Sequence, residues 1–278
     1  MNYVIATHAG RSARREKHDK ENSRILQKHM KALAQSLEHT SHVRQVTIIK
    51  PRAENTYEDY YDIDDYIAQI EKLGIEVVSH ETAIPFKSSY SQYLYAYSLF
   101  PGFDHYIIME DDWTPFPEAK GFDAILLEEY AKRTGCKGFL SSWVTRFEHL
   151  DTHSAISVGI IGGDSFQKII NTFPNTLKDR DIGQMDFSLL FTRSGLPFTD
   201  YSEKGSVHMI PFWETNHGVV YEYALHLSGK YLLVPVQFLE PSKYPYVLGN
   251  WRSASRGGSH PPSEDVRKWV EDKEYLKS

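Results

Sequence analysis

Cysteine is almost missing from these 278 residues. Cys136 stands alone, so no disulfide can form within the chain, and a reducing setting, the cytoplasm, is the expected one. It lies at the start of a strand-like segment and reads as a small packing residue rather than a nucleophile. A basic excess is missing too: 31 Lys and Arg face 37 Asp and Glu, for a net charge of −6. Nucleic-acid binding needs clustered cations that this balance does not supply. No stretch reaches the ~18 apolar residues of a membrane span. The opening run MNYVIATHAGRSARREK is apolar over a few residues only, too short for a signal peptide. Any membrane contact is therefore expected to be peripheral. Internal repeats and low-complexity blocks are absent, and so is a phosphate loop, because the turn after the first apolar run lacks the glycine cradle and its lysine.

What is present suits a globular chain. Hydrophobic residues make up 41% and charged ones 24%, enough for one large core. Aromatics are abundant, with 18 Tyr and 14 Phe, which fits a β-rich core before it fits a stacking surface. Strand-like and helix-like segments alternate. Tyr3 to Thr7, Val43 to Ile49, Ile75 to Val78 and Tyr106 to Met109 read as strands. Between them, Asn22 to Leu37, Tyr60 to Leu73 and Ser91 to Phe100 read as helices. The first of these helices carries Ile25, Leu26, Met30, Leu33 and Leu37 on one face. The alternation predicts βαβ units, hence an α/β fold with a mostly parallel mixed sheet flanked by helices. Further on, Phe139 to Val144, Ser157 to Ile161, a segment near Val207 and Tyr231 to Phe238 read as strands. Asp164 to Phe173 and Ile182 to Ser194 read as helices. A Ser/Gly/Pro-rich loop with Arg252, Arg256 and His260 precedes a final helix from Ser263 to Tyr275.

Glu110, Asp111 and Asp112 follow the buried strand Tyr106 to Met109 directly. Three adjacent acids repel one another, and a hard divalent cation, Mg²⁺ or Mn²⁺, relieves that repulsion. Ligands of parallel sheets sit at the carboxyl ends of the strands, where this cluster lies. On an extended segment Glu110 and Asp112 share one side and Asp111 points away. Asp112 is the expected direct ligand, with Glu110 as a second ligand or as a contact to a metal-bound water or the donor ribose. The plain alternative is a solvated acidic turn.

At these residues the chain resembles the GT-A glycosyltransferases, in particular the inverting family-2-like branch. YIIMEDDWTP, from Tyr106 to Pro115, is similar to that family's strand, acidic motif and following proline. SQYLYAYSLFPGFDHY is similar to the preceding helix, SVGIIGGDSFQKI to a later strand, Gly pair and helix, and QMDFSLLFTRSGLPF to the family's second acidic motif. Val207-His208 is similar to its strand-borne histidine. The pieces keep their order from about Tyr3 to Met209.

The resemblance implies a GT-A-like (Rossmann-like) fold and metal-dependent transfer of a hexose from a nucleoside-diphosphate sugar to a saccharide or other hydroxyl-bearing acceptor, with inversion. It implies Asp186 as the general base, and Asp112, Glu110 and His208 as metal ligands, with His217 in reserve. Thr7, His8, Arg11, Glu110 and Asp111 would contact the donor. It further implies one continuous domain, with residues 1–120 the nucleotide-sugar-binding half and 121–278 the acceptor half, closed by the C-terminal loop and helix. Two departures stand out. Met185 occupies a position where the family often has an acid. After the second strand the run IIKPRAEN replaces an Asp that relatives set against the nucleoside. A sugar nucleotidyltransferase and a non-catalytic carbohydrate-binding protein on the same fold are the rival readings.

Overall fold

The computed structural model describes residues 1–9, 23–53, 56–86, 88–141, 144–147, 152–155, 158–173, 181–200, 207–215, 218–227 and 230–239. Arg11, His217 and everything expected of the C-terminal loop and helix lie outside these residues. In the first part, β1 (Asn2–Ala6), β2 (Gln45–Pro51), β3 (Glu76–Thr82) and β4 (His105–Glu110) alternate with α1 (Ile25–Leu37), α2 (Asp64–Glu71) and α3 (Ser89–Leu99). Then come β5 (Trp113–Pro115), α4 (Phe122–Thr134), β6 (Phe139–Ser141), the antiparallel pair β7 (Val144–Phe147) and β8 (Thr152–Ala155), β9 (Gly159–Gly162), α5 (Gly163–Thr172) and α6 (Gln184–Arg193). The described chain closes with β10 (Phe198–Asp200), β11 (Val207–Thr215), β12 (Gly218–Leu227), β13 (Lys230–Pro235) and a 3-10 turn at Val236–Leu239.

A seven-stranded sheet runs in the order β10-β6-β9-β4-β1-β2-β3. Every strand of it except β9 points the same way. This is the mostly parallel mixed sheet that the alternation predicts, and its central strands are apolar throughout because both faces are covered. Tyr3, Ile5, Ile107 and Met109 pack beneath α1 with Leu26, Met30 and Leu33. Their neighbours Val4, Ala6, Tyr106 and Ile108 face the other way, into a core with Leu94, Phe166 and Phe187. A second sheet, β11-β12-β13-β5, is antiparallel.

Some expectations are corrected. The segment starting at Tyr60 is not yet helix: α2 begins only at Asp64, and residues 58–61 form a turn that buries Tyr60. Helix α4, with Phe122, Leu126 and Tyr130 buried along one side, was not read from the sequence. Cys136 is exposed rather than packed, in a left-handed turn with φ of 62°. Close by, Gly138 has φ of 73°, and a Cβ there would lie 1.9 Å from the Pro197 carbonyl oxygen. Only glycine lets β6 meet that loop.

Candidate active site at the end of strand β4

The chain leaves one sheet at Glu110 and enters the other at Trp113, so Asp111 and Asp112 are the whole of the passage between them. That passage is fixed by its backbone. The Asp111 N–H donates to the Ala6 carbonyl (3.0 Å), and the Val236 N–H donates to the Asp112 carbonyl (2.7 Å). The Asp111 carbonyl lies 3.3 Å from Nδ1 of His29. A carbonyl only accepts, so Nδ1 carries the ring proton and Nε2 accepts from the Tyr3 hydroxyl at 3.1 Å. His29 projects from the apolar face of α1 and is fully buried.

The three acids divide their work. Asp111 is fully buried, while Glu110 and Asp112 are half-exposed. Oδ2 of Asp111 accepts from the His8 backbone N–H (2.5 Å) and from the Tyr60 hydroxyl, and the His8 ring lies 3.4 Å from Oδ1. The residue is thus a brace between β4, the turn after β1 and the turn before α2. Its side chain is thereby engaged within the protein. Thr7 is likewise engaged within the protein. It is fully buried, its N–H and carbonyl both meet the Gln92 amide (2.9 and 3.1 Å), and its hydroxyl meets the Ile49 carbonyl and the Tyr61 hydroxyl. His8 is different: its ring is partly exposed and stands 3.3 Å from the Ser89 hydroxyl.

Ser89 opens α3 and donates to Oε1 of Glu110. Beside it, Tyr90 packs against Phe187 of α6 in a tilted ring contact, with centroids 4.8 Å apart. Ser91 donates to Asp181 (2.6 Å) and accepts from the Ile182 N–H (2.6 Å). These contacts carry the first turn of α6, and Asp186 in it, to the same end of α3 that holds Glu110. Asp186 is half-exposed. Tyr93 is buried close to all three acids. Burial first, and then Glu110, Tyr90, Asp111 and Asp112, push its hydroxyl well above its ordinary range, so it stays neutral.

Not every expected residue gathers here. His208 lies on β11, at the far edge of the second sheet from β5. Three strand spacings separate them, about 14 Å, and its ring lies outside the described side chains. Among the described residues no group of three or more His, Cys, Asp and Glu side chains forms a metal-binding set. Glu110 and Asp112 still suit Mg²⁺ or Mn²⁺, because such ions are held by one or two carboxylates, with phosphate oxygens and water completing the shell. The sequence reading missed His29, Tyr60 and Ser89. Only Ser89 left a trace, as a hydroxyl beside the helix cap.

His29 gives the site a pH signature. Burial lowers its pKa from the ordinary 6.5 to about 4, against smaller raising effects from Asp111 and Glu110. The unfolded chain therefore takes up this proton first. Stability is complete above about pH 6.5 and falls as the pH drops toward 4, by about 3 kcal/mol in all. Denaturant unfolding across that range should show the slope, and His29→Leu should flatten it.

No protein-family model matches the chain, and no curated protein matches it. Among solved structures it is similar to one from Bacillus anthracis assigned as a glucose-1-phosphate thymidylyltransferase and bound to sucrose, with a TM-score of 0.46 and 10% identity over 81% of this chain and 89% of that one. It is also similar to residues 1–349 of TarS from S. aureus, with a TM-score of 0.40 and 11% identity over 73% of this chain and 58% of that one. A UDP-glucose pyrophosphorylase complexed with UDP-glucose scores 0.38 with 11% identity, over 81% and 92%. Likeness of this degree carries no argument about chemistry, which has to come from the residues themselves.

Proposed function

We propose that the protein transfers a hexose from a nucleoside-diphosphate sugar to an acceptor hydroxyl, with inversion at the anomeric carbon. The observation that supports this most is the acidic passage itself. Two half-exposed carboxylates, Glu110 and Asp112, stand on a braced backbone at the carboxyl end of the central strand, where parallel sheets bind their ligands. Glu110 and Asp112 would hold Mg²⁺ or Mn²⁺, whose charge eases departure of the diphosphate. His8, in the turn after β1, would contact the donor, and so would Arg11. Residues 1–120 then make the donor half and 121–278 the acceptor half.

Asp186 acts as the base. It takes the proton of the acceptor hydroxyl as that oxygen bonds to the anomeric carbon, and the carbon–oxygen bond to the diphosphate breaks with its electron pair leaving on phosphate. Asp186→Asn should lower kcat by roughly 10²- to 10⁴-fold and leave the donor KM nearly unchanged. The test is a screen of common nucleotide sugars with simple saccharide acceptors, followed by chromatography of the products. Transfer or slow donor hydrolysis that EDTA abolishes and Mn²⁺ restores is the expected result. Release of pyrophosphate from a nucleoside triphosphate and a sugar phosphate would instead make the protein a nucleotidyltransferase. Saccharide binding with no turnover of any nucleotide sugar would make it a binding protein.

A further inference from the structure

A cleft of about 450 Å³ opens where β2 and β3 end, lined by Lys50, Arg52, Tyr61, Glu81 and Thr82 among others. It lies outside the acidic passage but at the same edge of the sheet. The parallel register sets Lys50 beside Glu81 and Pro51 beside Thr82, and the Arg52 N–H donates to the Thr82 carbonyl (3.0 Å). Its walls therefore rest on ladder hydrogen bonds. The Lys50 ammonium stands 4.8 Å from the centroid of the Tyr61 ring. A flexible side chain is thereby given a partner, at a modest gain for a half-buried pair.

The charges decide what this cleft accepts. On a chain of net charge −6, it brings together two cations, and among the described residues neither forms an ion pair with a carboxylate. Glu81, beside Lys50 in the strand register, is the one opposing charge among the described lining residues. The acidic passage repels phosphate unless a cation intervenes, whereas Lys50 and Arg52 can bind it directly. The two places are joined through Tyr61, whose hydroxyl is 2.8 Å from Oγ1 of Thr7, the residue next to His8.

We propose that the cleft between β2 and β3 is a metal-independent subsite for a phosphate group, held by Lys50 and Arg52. Taking that phosphate as part of a nucleotide ligand rests on the transfer reading above; the subsite itself does not. Its place is the end of β2, where Lys50 to Arg52 line the cleft. Glu81 works against the same anion and limits its affinity.

The experiment is calorimetric titration of the full chain in EDTA at low salt. The probes are inorganic phosphate, pyrophosphate, a nucleoside monophosphate and the corresponding nucleoside. The phosphorylated probes should bind, the nucleoside should not, and added salt should weaken the binding. Tighter binding of the monophosphate than of inorganic phosphate assigns the anion to a nucleotide; the reverse order assigns it to free phosphate. Lys50→Ala and Arg52→Ala should each weaken binding by about tenfold. Glu81→Gln should tighten it severalfold, a gain that a damaged fold cannot imitate. Absence of phosphate binding in EDTA, or affinities that ignore all three substitutions, overturns the subsite. If metal-free binding follows these changes while Mn²⁺ adds nothing for any nucleotide, the subsite stands and the transfer reading fails.

Discussion

Asp112→Asn is expected to lose sugar transfer by roughly three orders of magnitude while the protein stays folded. Asparagine keeps the shape of the side chain and removes its charge. The main chain at this position is held by the Val236 N–H whatever the side chain is, so the passage between the sheets should keep its course. What disappears is the anionic oxygen that would hold a divalent cation. Donor turnover measured in saturating Mn²⁺, beside a urea unfolding curve, separates the two effects. The unfolding free energy should move by less than about 1 kcal/mol, as expected for a half-exposed polar exchange.

The neighbouring residue should behave in the opposite sense. Asp111→Ala removes the acceptor that serves both the His8 N–H and the Tyr60 hydroxyl inside a fully buried site. Leaving buried donors without an acceptor, together with the small void, should cost about 3–5 kcal/mol. Asp111→Asn keeps one acceptor oxygen and should cost less, about 1–3 kcal/mol. On the proposed function, two adjacent carboxylates in one acidic run would divide into a brace, read out by stability, and a ligand, read out by activity. If Asp111→Ala were as stable as the parent chain, the brace would be wrong. The same change should also displace the turn after β1, because His8 and Asp111 hold each other through main chain and ring.

The legible part of this molecule is the part governed by local pattern. β1 and β4 are continuous apolar runs, and the structure buries both of their faces, with Tyr3 and Ile5 on one side and Val4 and Ala6 on the other. The helical spacing of Ile25, Leu26, Met30, Leu33 and Leu37 is the buried face of α1. The alternation of Glu110 and Asp112 against Asp111 follows from strand geometry alone. Helix α4 is legible too, since Phe122, Leu126 and Tyr130 recur at helical spacing between two glycines, both left-handed here.

Other features depend on contacts far apart in sequence. His29 looks like one more polar residue in an amphipathic helix until β4 is laid beside it, 82 positions away. Tyr60 belongs to a helical pattern by composition, yet the turn that carries its hydroxyl to Asp111 wins, because a buried carboxylate without donors costs more than a turn of helix gains. The reversed direction of β9 and the joining of β5 to β13 are tertiary choices, and no short-range signal encodes them. The placing of β11 three strands from β5 is another such choice.

A paramagnetic titration addresses the heart of the account. Mn²⁺ is added to the full chain with a nucleoside diphosphate present, and the free ion is followed by electron paramagnetic resonance. The account predicts about one bound ion per chain, with the binding lost in Asp112→Asn and kept in Lys50→Ala. Equal uptake by the parent chain and Asp112→Asn would contradict it.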